Sequence, residues 1–406
     1  MDDHVFRRID NKKPELIELV QQITQIPSPT FHEGDLAAFV RDKLSSVGMR
    51  AFINEIGDVI GVYPKSATSP VFLLNTHLDH ADPGDMPDPY SGAIVDGDRY
   101  GDTGEVIVGR GTNGQKASLA AMIFAADAVL SSQIPLKRGL AINAGVLEEC
   151  GGHLSPRYLL EHDGLVPHAV LCGEHTDLRV VNRQRGMVHL DLDVHGVGGH
   201  AAFPNGTSSA LAGVARVILA LEDLSASFAD DPMSGRCLVS LNRLIAVPNV
   251  ANVIPDTCHA VVDIRHPPTT TREAIVRVVQ QSIQHAIASQ PGLSHTAEIQ
   301  NRTIASYTGL EETSDGCMFP FCTPTDDPSM IALTNIVREV CHEERAPELW
   351  TISSEAGYFS SVAHVPVGAF GPGEDRFTHN NIEHVRLDDV VKAAKVYAGM
   401  IVKMCA

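Results

Sequence analysis

No apolar run in the sequence approaches the roughly 18 residues that span a bilayer, and the opening residues, MDDHVFRRID, carry no apolar signal-peptide core. The eight cysteines form no CxxC pair and show no regular spacing. That disfavours a disulfide framework or a cysteine zinc site and predicts reduced thiols. Positive charge is also scarce: 31 Lys and Arg stand against 50 Asp and Glu, a net charge of −19. Such a chain repels nucleic acid and anionic membranes. An anionic substrate is not excluded, because one nearby arginine or metal outweighs a distant field. Internal repeats, low-complexity tracts and long linkers are absent. Together these absences predict a soluble, cytoplasmic protein with a small-molecule substrate.

What is present is an α/β pattern over 406 residues, enough for two domains. Leu16, Ile17, Val20 and Ile23 recur at helical spacing, and EGDLAAFVRDKLSSVG reads as a second helix. VFLLNTHLDH is a continuous apolar run that turns polar, the signature of a buried parallel strand with function at its carboxyl end. GLAINAGVLEECGG and HAVLCGEHTDL repeat that pattern, so three apolar strands each end in His, Glu or Asp. The pattern changes near Arg185. Val188, Leu190, Leu192 and Val194 alternate with period two, and the order βαββαβ follows, including a helix read through Ser289. The expectation is one α/β domain from 1–185 and 301–406, interrupted by a two-layer domain at 186–300.

Several residues in these loops carry chemistry. His77 and Asp79 are alternate residues, so His77 is placed to bind a metal while Asp79 orients its ring. Glu148 and Glu149 point in different directions, which lets one bind metal and the other act as general base. Glu174 ends a third strand, and His379 sits in a loop rich in glycine and asparagine. Taken singly, each reads as a structural or solvated side chain. As a set of His, Glu, Glu and His they suit zinc, manganese or cobalt.

At this point the sequence resembles the metallopeptidase family of aminoacylases, glutamate carboxypeptidase, acetylornithine deacetylase and succinyl-diaminopimelate desuccinylase. The resemblance rests on QIPSPTFHEG, NTHLDH, GRG…K, LEECGG, GEHTDL, GVGGHAAFP, NVIPD, DIRHPP and FGPG…TH, in that order over most of the chain. It implies a mixed-sheet catalytic domain with an inserted lid or dimerisation domain. It implies His77 and Glu174 as ligands of one metal, Glu149 and His379 as ligands of another, and Glu148 as general base with Asp79 behind His77. It further implies that His200 reaches a neighbouring subunit's site and stabilises the oxyanion, so that the active unit is at least a homodimer. Asn252 and Arg265 resemble substrate contacts, although Arg265 reads equally well as a structural salt bridge.

The sequence departs from that family at two places. In GRGTNGQKAS the acid that bridges two metals falls on Gly114, which has no ligand side chain. Two dications a few ångström apart repel strongly unless an anion lies between them, and the neutral amide of Asn113 is a poor substitute. The expectation is therefore one divalent metal per site, weakly held. In ISSEAGYF, Glu355 stands at the family's acid and Gly357 at its arginine, so the carboxylate pocket is altered, and Arg183 or Arg185 becomes a candidate to hold a substrate carboxylate. Three functions follow. The first is hydrolysis of an amide or N-acyl amino acid by metal-activated water. The second is release of ammonia from a small aromatic amine acid such as nitroanthranilate. The third is non-catalytic binding.

Overall fold

The computed structural model describes residues 3–64, 70–288 and 290–406. Ser289, read as the end of a helix, lies outside them. The architecture is a mixed α/β domain into which a smaller two-layer domain is inserted.

The main sheet has nine strands. Its centre is the strand Val71–His77, flanked on both sides by parallel neighbours, Gly139–Gly145 and Pro167–Cys172. All residues of Val71–His77 and Gly139–Gly145 are buried, as the unbroken apolar runs require, because helices cover both faces. One covering helix, Ala117–Ser131, is apolar almost all round and buried along nearly its whole length. Another, Leu387–Cys405, packs against it. The register sets His77 opposite Gly145 and Asn75 opposite Cys172. The three carboxyl ends therefore open side by side, and the polar residues that follow them meet at one edge. Arg50–Ile53 and Val59–Tyr63 extend the sheet antiparallel on one side, and Val367–Ala369, Val181–Gln184, Phe321–Cys322 and Glu348–Trp350 complete it on the other.

A four-stranded antiparallel sheet forms the inserted unit. Its order is Leu238–Val247, Thr257–His266, Gly186–His195, Ser294–Ile299, with the helices Ala210–Ser227 and Arg272–Ala288 packed on it. Val188, Leu190, Leu192 and Val194 are fully buried in a hydrophobic core separate from that of the main sheet, which is the outcome that period-two alternation predicts. The chain crosses between the two sheets at Arg185, the single residue between Val181–Gln184 and Gly186–His195. A three-stranded sheet of Ala93–Asp96, Glu105–Val108 and His384–Arg386 was not legible as periodicity.

Candidate active site

The carboxyl ends of the three central strands open into a cavity of about 260 Å³. His77 and Glu174 form its buried floor, and His379 stands at the rim with its side chain about half exposed. Glu148 and Glu149 line the same cavity. The sequence reading placed these two acids at a strand end. They open a short helix, Glu148–Gly151, entered through Leu147 at φ 65°. His379 is also in the left-handed region, at φ 59°. Non-glycine residues held there are strained, and such strain concentrates at functional sites.

Asp79 joins the parts. Its Oδ1 lies 3.1 Å from His77 Nδ1 and accepts the Glu148 amide at 3.2 Å. Its Oδ2 accepts the Glu149 amide at 3.1 Å and the Thr30 hydroxyl at 3.0 Å. These donors hold the Asp79 carboxyl below its usual range despite burial. Glu149 Oε1 accepts the Ala81 amide and contacts His379 Nε2, each at 3.1 Å.

The charge balance of the site is acidic. Burial and the neighbouring acids Glu174, Glu149 and Glu355 push the Glu148 carboxyl well up. Burial and Glu149 raise Glu174 to about 7. Burial works against protonation of His77, but Glu148, Asp79 and Glu174 outweigh it and hold the imidazole well above its ordinary value. The hydrogen bond to Glu149 raises His379. Carboxylates crowded in this way favour a cation among them, and the donor set of imidazole and carboxylate suits a divalent ion. Among the described residues, no three His, Cys, Asp or Glu side chains are yet drawn together as a closed ion site. His77, Glu149, Glu174 and His379 instead line one cavity, with Asp79 buried behind His77 and Glu149 paired to His379.

The Gly109–Ser118 loop explains its own departures. Glu383 braces it, accepting Arg110 Nη1 at 2.5 Å, the Gly111 amide at 2.6 Å and the Asn113 amide at 3.3 Å. The Asn113 side chain is engaged elsewhere: Oδ1 accepts the Glu374 amide, and Nδ2 donates to the Glu374 carbonyl and the Thr378 hydroxyl, all at 2.8 Å. It therefore pins the loop that carries His379, and its neutral amide oxygen is already engaged by the Glu374 amide. Gly114 has φ 123°, and a Cβ there would lie 3.1 Å from His175 Nδ1. His175 is buried, and burial together with His379 and His77 lowers its pKa to about 3, leaving a neutral ring beside the cavity.

Other predicted contacts are distributed unevenly. Arg265 does line the cavity, but its Nε and Nη2 grip Asp263 at 2.8 and 3.0 Å, and Nη1 reaches Ser353 at 3.4 Å. Arg185 lies at the crossing between sheets, with Nη1 3.4 Å from the Arg236 carbonyl, and is not among the residues lining this cavity. Arg183 likewise donates to the carbonyl of Met233 at 2.6 Å, away from the site. His200 and Asn252 are exposed and sit together, with the Ala201 amide on the Asn252 carbonyl at 2.9 Å; neither enters this cavity within the chain.

Glu355 was legible only as a departure, not as a site residue. It is buried, its Oε1 accepts Asn75 Nδ2 at 2.6 Å, and its Oε2 has no hydrogen-bond partner among the described residues. Burial raises it to about 8, against the opposing pull of His77 and the Asn75 hydrogen bond. A Cβ on Gly357 would fall 1.7 Å from the Phe319 carbonyl, so no side chain fits where the family carries arginine.

A pocket of clustered acids, a carboxylate-backed histidine and a candidate base defines the class, a metal-dependent hydrolase. The sequence profile of peptidase family M20/M25/M40 matches residues 73–403, and the chain belongs to that family, whose members cleave C–N bonds. It is 23% identical over 402 residues to the uncharacterized protein YgeY of Escherichia coli K12, covering 98% of this chain and 96% of that one. It is 25% identical over 321 residues to acetylornithine deacetylase of Myxococcus xanthus, covering 78% and 77%. The fold matches Bacillus subtilis YxeP, described as a dinuclear metal-binding peptidase, with a TM-score of 0.68 at 14% identity, covering 97% and 98%. Among the described residues no helix is long and apolar enough to cross a membrane.

Proposed function

We propose that the protein hydrolyses the amide bond of a small carboxylate-bearing compound, an N-acyl amino acid or a close relative, using one divalent cation per site. The observation that carries this reading is the single cavity shared by Glu148, His77, Glu174, Glu149 and His379. The name of the Myxococcus relative, a deacetylase, supports an N-acyl bond. His77, oriented by Asp79, and Glu174 would hold the cation, with Glu149 and His379 as the remaining donors. Manganese, zinc or cobalt suits that set. One ion rather than the two of YxeP is supported by the bare Gly114 and the engaged Asn113. A bound cation supplies Lewis acidity, polarising a carbonyl and making water more acidic.

Glu148 then takes the proton of the attacking water on its carboxylate and returns it to the departing nitrogen. Burial and the surrounding acids raise its proton affinity, and a bound cation would favour the ionised form that accepts the proton. Asp79 keeps His77 in one tautomer and orientation.

His200 would act on the developing oxyanion of a partner subunit, with Asn252 beside it. Residues 186–300 would then serve as lid and dimerisation domain, and 1–185 with 301–406 as the catalytic domain. The edge strand Leu238–Val247 supports this, exposing Leu238, Ile245 and Val247, as does the helix Ala210–Ser227, exposing Leu211 and Leu219. An apolar edge strand of this kind calls for a partner.

The test is titration of manganese and zinc into metal-free protein, followed by a panel of N-acetyl amino acids and dipeptides beside nitroanthranilate. One equivalent per chain and amide turnover that vanishes in Glu148→Gln are expected. Two tight equivalents would refute the single-ion reading. Turnover confined to the aromatic amine would replace amide chemistry, and no turnover by loaded protein would leave a binder. Mixing His200→Ala with Glu148→Ala protein should restore activity in mixed dimers. No recovery despite proven subunit exchange would sink the shared site.

A further inference from the structure

A second cavity, of about 190 Å³, adjoins the first and shares Glu148, Glu149, Met187 and Met318 with it. Those four residues stand at the boundary between the two cavities and line both. The far part of the second cavity is lined by His189, Gln300, Arg302 and Asp315.

Three of these four side chains are already engaged. His189 Nε2 lies 3.0 Å from Asp263 Oδ2. Gln300 Nε2 donates to Asp191 at 2.6 Å. Asp315 accepts Arg272 Nη1 at 2.6 Å and the Cys317 amide at 2.9 Å, so its charge is balanced from outside the cavity. Arg302 is different. It opens the strand Arg302–Ala305, in register with Ser314 across a hairpin, and among the described residues its guanidinium has no hydrogen-bond or ion-pair partner. The other arginine near the reaction, Arg265, spends its Nε–Nη2 edge on Asp263 and its Nη1 reaches Ser353 at 3.4 Å. Arg302 is thus the cavity arginine with five donors to offer, in a geometry that matches a carboxylate bidentately. In a chain of net charge −19, an anionic substrate needs such a local cation to enter a cleft already lined by Glu148 and Glu149.

We propose that this side cavity is a recognition site for a carboxylate carried by the substrate away from the bond that is cleaved, and that Arg302 is the specificity-determining residue that holds it. The substrate would lie across the Glu148–Glu149 boundary, its reacting group in the larger cavity and its distal carboxylate in the smaller one. This rests on the reading that hydrolysis takes place in the larger cavity.

The test uses metal-loaded full-length protein and dicarboxylates from succinate to pimelate, each compared with its monoamide by titration calorimetry. The unreactive series covers a range of reach. At one chain length, wild type should bind the dicarboxylate at least about tenfold more tightly than the monoamide. Arg302→Gln should erase the preference, leave monoamide affinity and melting temperature unchanged, and Arg302→Lys should restore part of it. Equal affinities in wild type, a preference that survives in Arg302→Gln, or no binding of either partner at any length overturns the proposal. Turnover of the dipeptide pair Ala-Glu and Ala-Gln separates the two readings. Arg302-dependent binding with no amide turnover defeats the hydrolase reading alone. Amide turnover with no Arg302-dependent preference defeats the recognition site alone.

Discussion

Replacing Glu355 with glutamine should stabilise the metal-free protein, and by an amount that depends on pH. The side chain is buried at 2% exposure, its Oε1 accepts Asn75 Nδ2, and its Oε2 has no partner among the described residues. Glutamine keeps the accepted hydrogen bond and substitutes one unpartnered atom for another, so shape and contacts are conserved. The difference lies in titration. Burial raises the carboxyl from 4.5 to about 8, so between those values the native state binds a proton that the unfolded chain releases. Stability therefore falls as pH rises through that window. At about 1.4 kcal/mol per pH unit, neutralising the group at pH 7 costs the wild type about 3 kcal/mol, and next to nothing below pH 4.5. Urea unfolding of metal-free wild type and Glu355→Gln at pH 5, 6 and 7 measures this directly. The two should nearly coincide at the acid end, with the variant's advantage widening steadily towards pH 7. A cation in the neighbouring cavity favours the ionised form, so saturating metal should narrow the gap. An advantage that is constant across pH, or a wild type that is the more stable at pH 7, would refute the reasoning.

Three further perturbations probe the site. Glu148→Gln should reduce turnover by about 10²–10⁴-fold while metal affinity, read by titration, stays within tenfold; a large loss of affinity would make Glu148 a ligand instead of the base. Asp79→Asn should weaken metal binding by about 10–100-fold, because the amide cannot both accept two backbone donors and hold His77; unchanged affinity would argue that the ring is positioned by packing alone. Gly114→Asp should lower stability by about 1–3 kcal/mol, since the backbone is left-handed there and His175 stands 3.1 Å from the new Cβ. A gain of a second tight metal equivalent in that variant, with no loss of melting temperature, would show that the glycine is not enforced by packing.

Much of the site was legible because its elements are repetitive. Three buried strands that each turn polar at the carboxyl end can only bring those polar residues to one edge, and His77, Glu148, Glu149 and Glu174 were found that way. The inserted sheet was legible because Val188 to Val194 alternate strictly and pack on one face. What remained hidden depends on long-range packing. Glu355 lies in a short loop with no periodicity, and only its bond to Asn75, 280 positions away, ties it to the central strand. His175 carried no signal of its own in the sequence, and its place beside Gly114 comes from packing. Arg183 and Arg185 do not line this cavity: closeness in sequence to the central strands does not say where a side chain goes, and they donate to the carbonyls of Met233 and Arg236. Arg302 drew no attention as one charged residue among many, since whether a charge lacks a partner is visible only in three dimensions.

The placement of Asp79 has a mechanical consequence. One carboxylate fixes the ring of His77 with one oxygen and takes the amides of both Glu148 and Glu149. The imidazole and the two glutamates are therefore referenced to the same rigid body and not to one another. Thermal movement of the central strand carries all three together, so its displacement is common to them and cancels in the distances between them. Errors in those distances can enter only through the few torsions beyond the shared anchor. The proposed reaction, which needs sub-ångström agreement between Glu148 and a cation, would thereby tolerate a scaffold that moves by more than that.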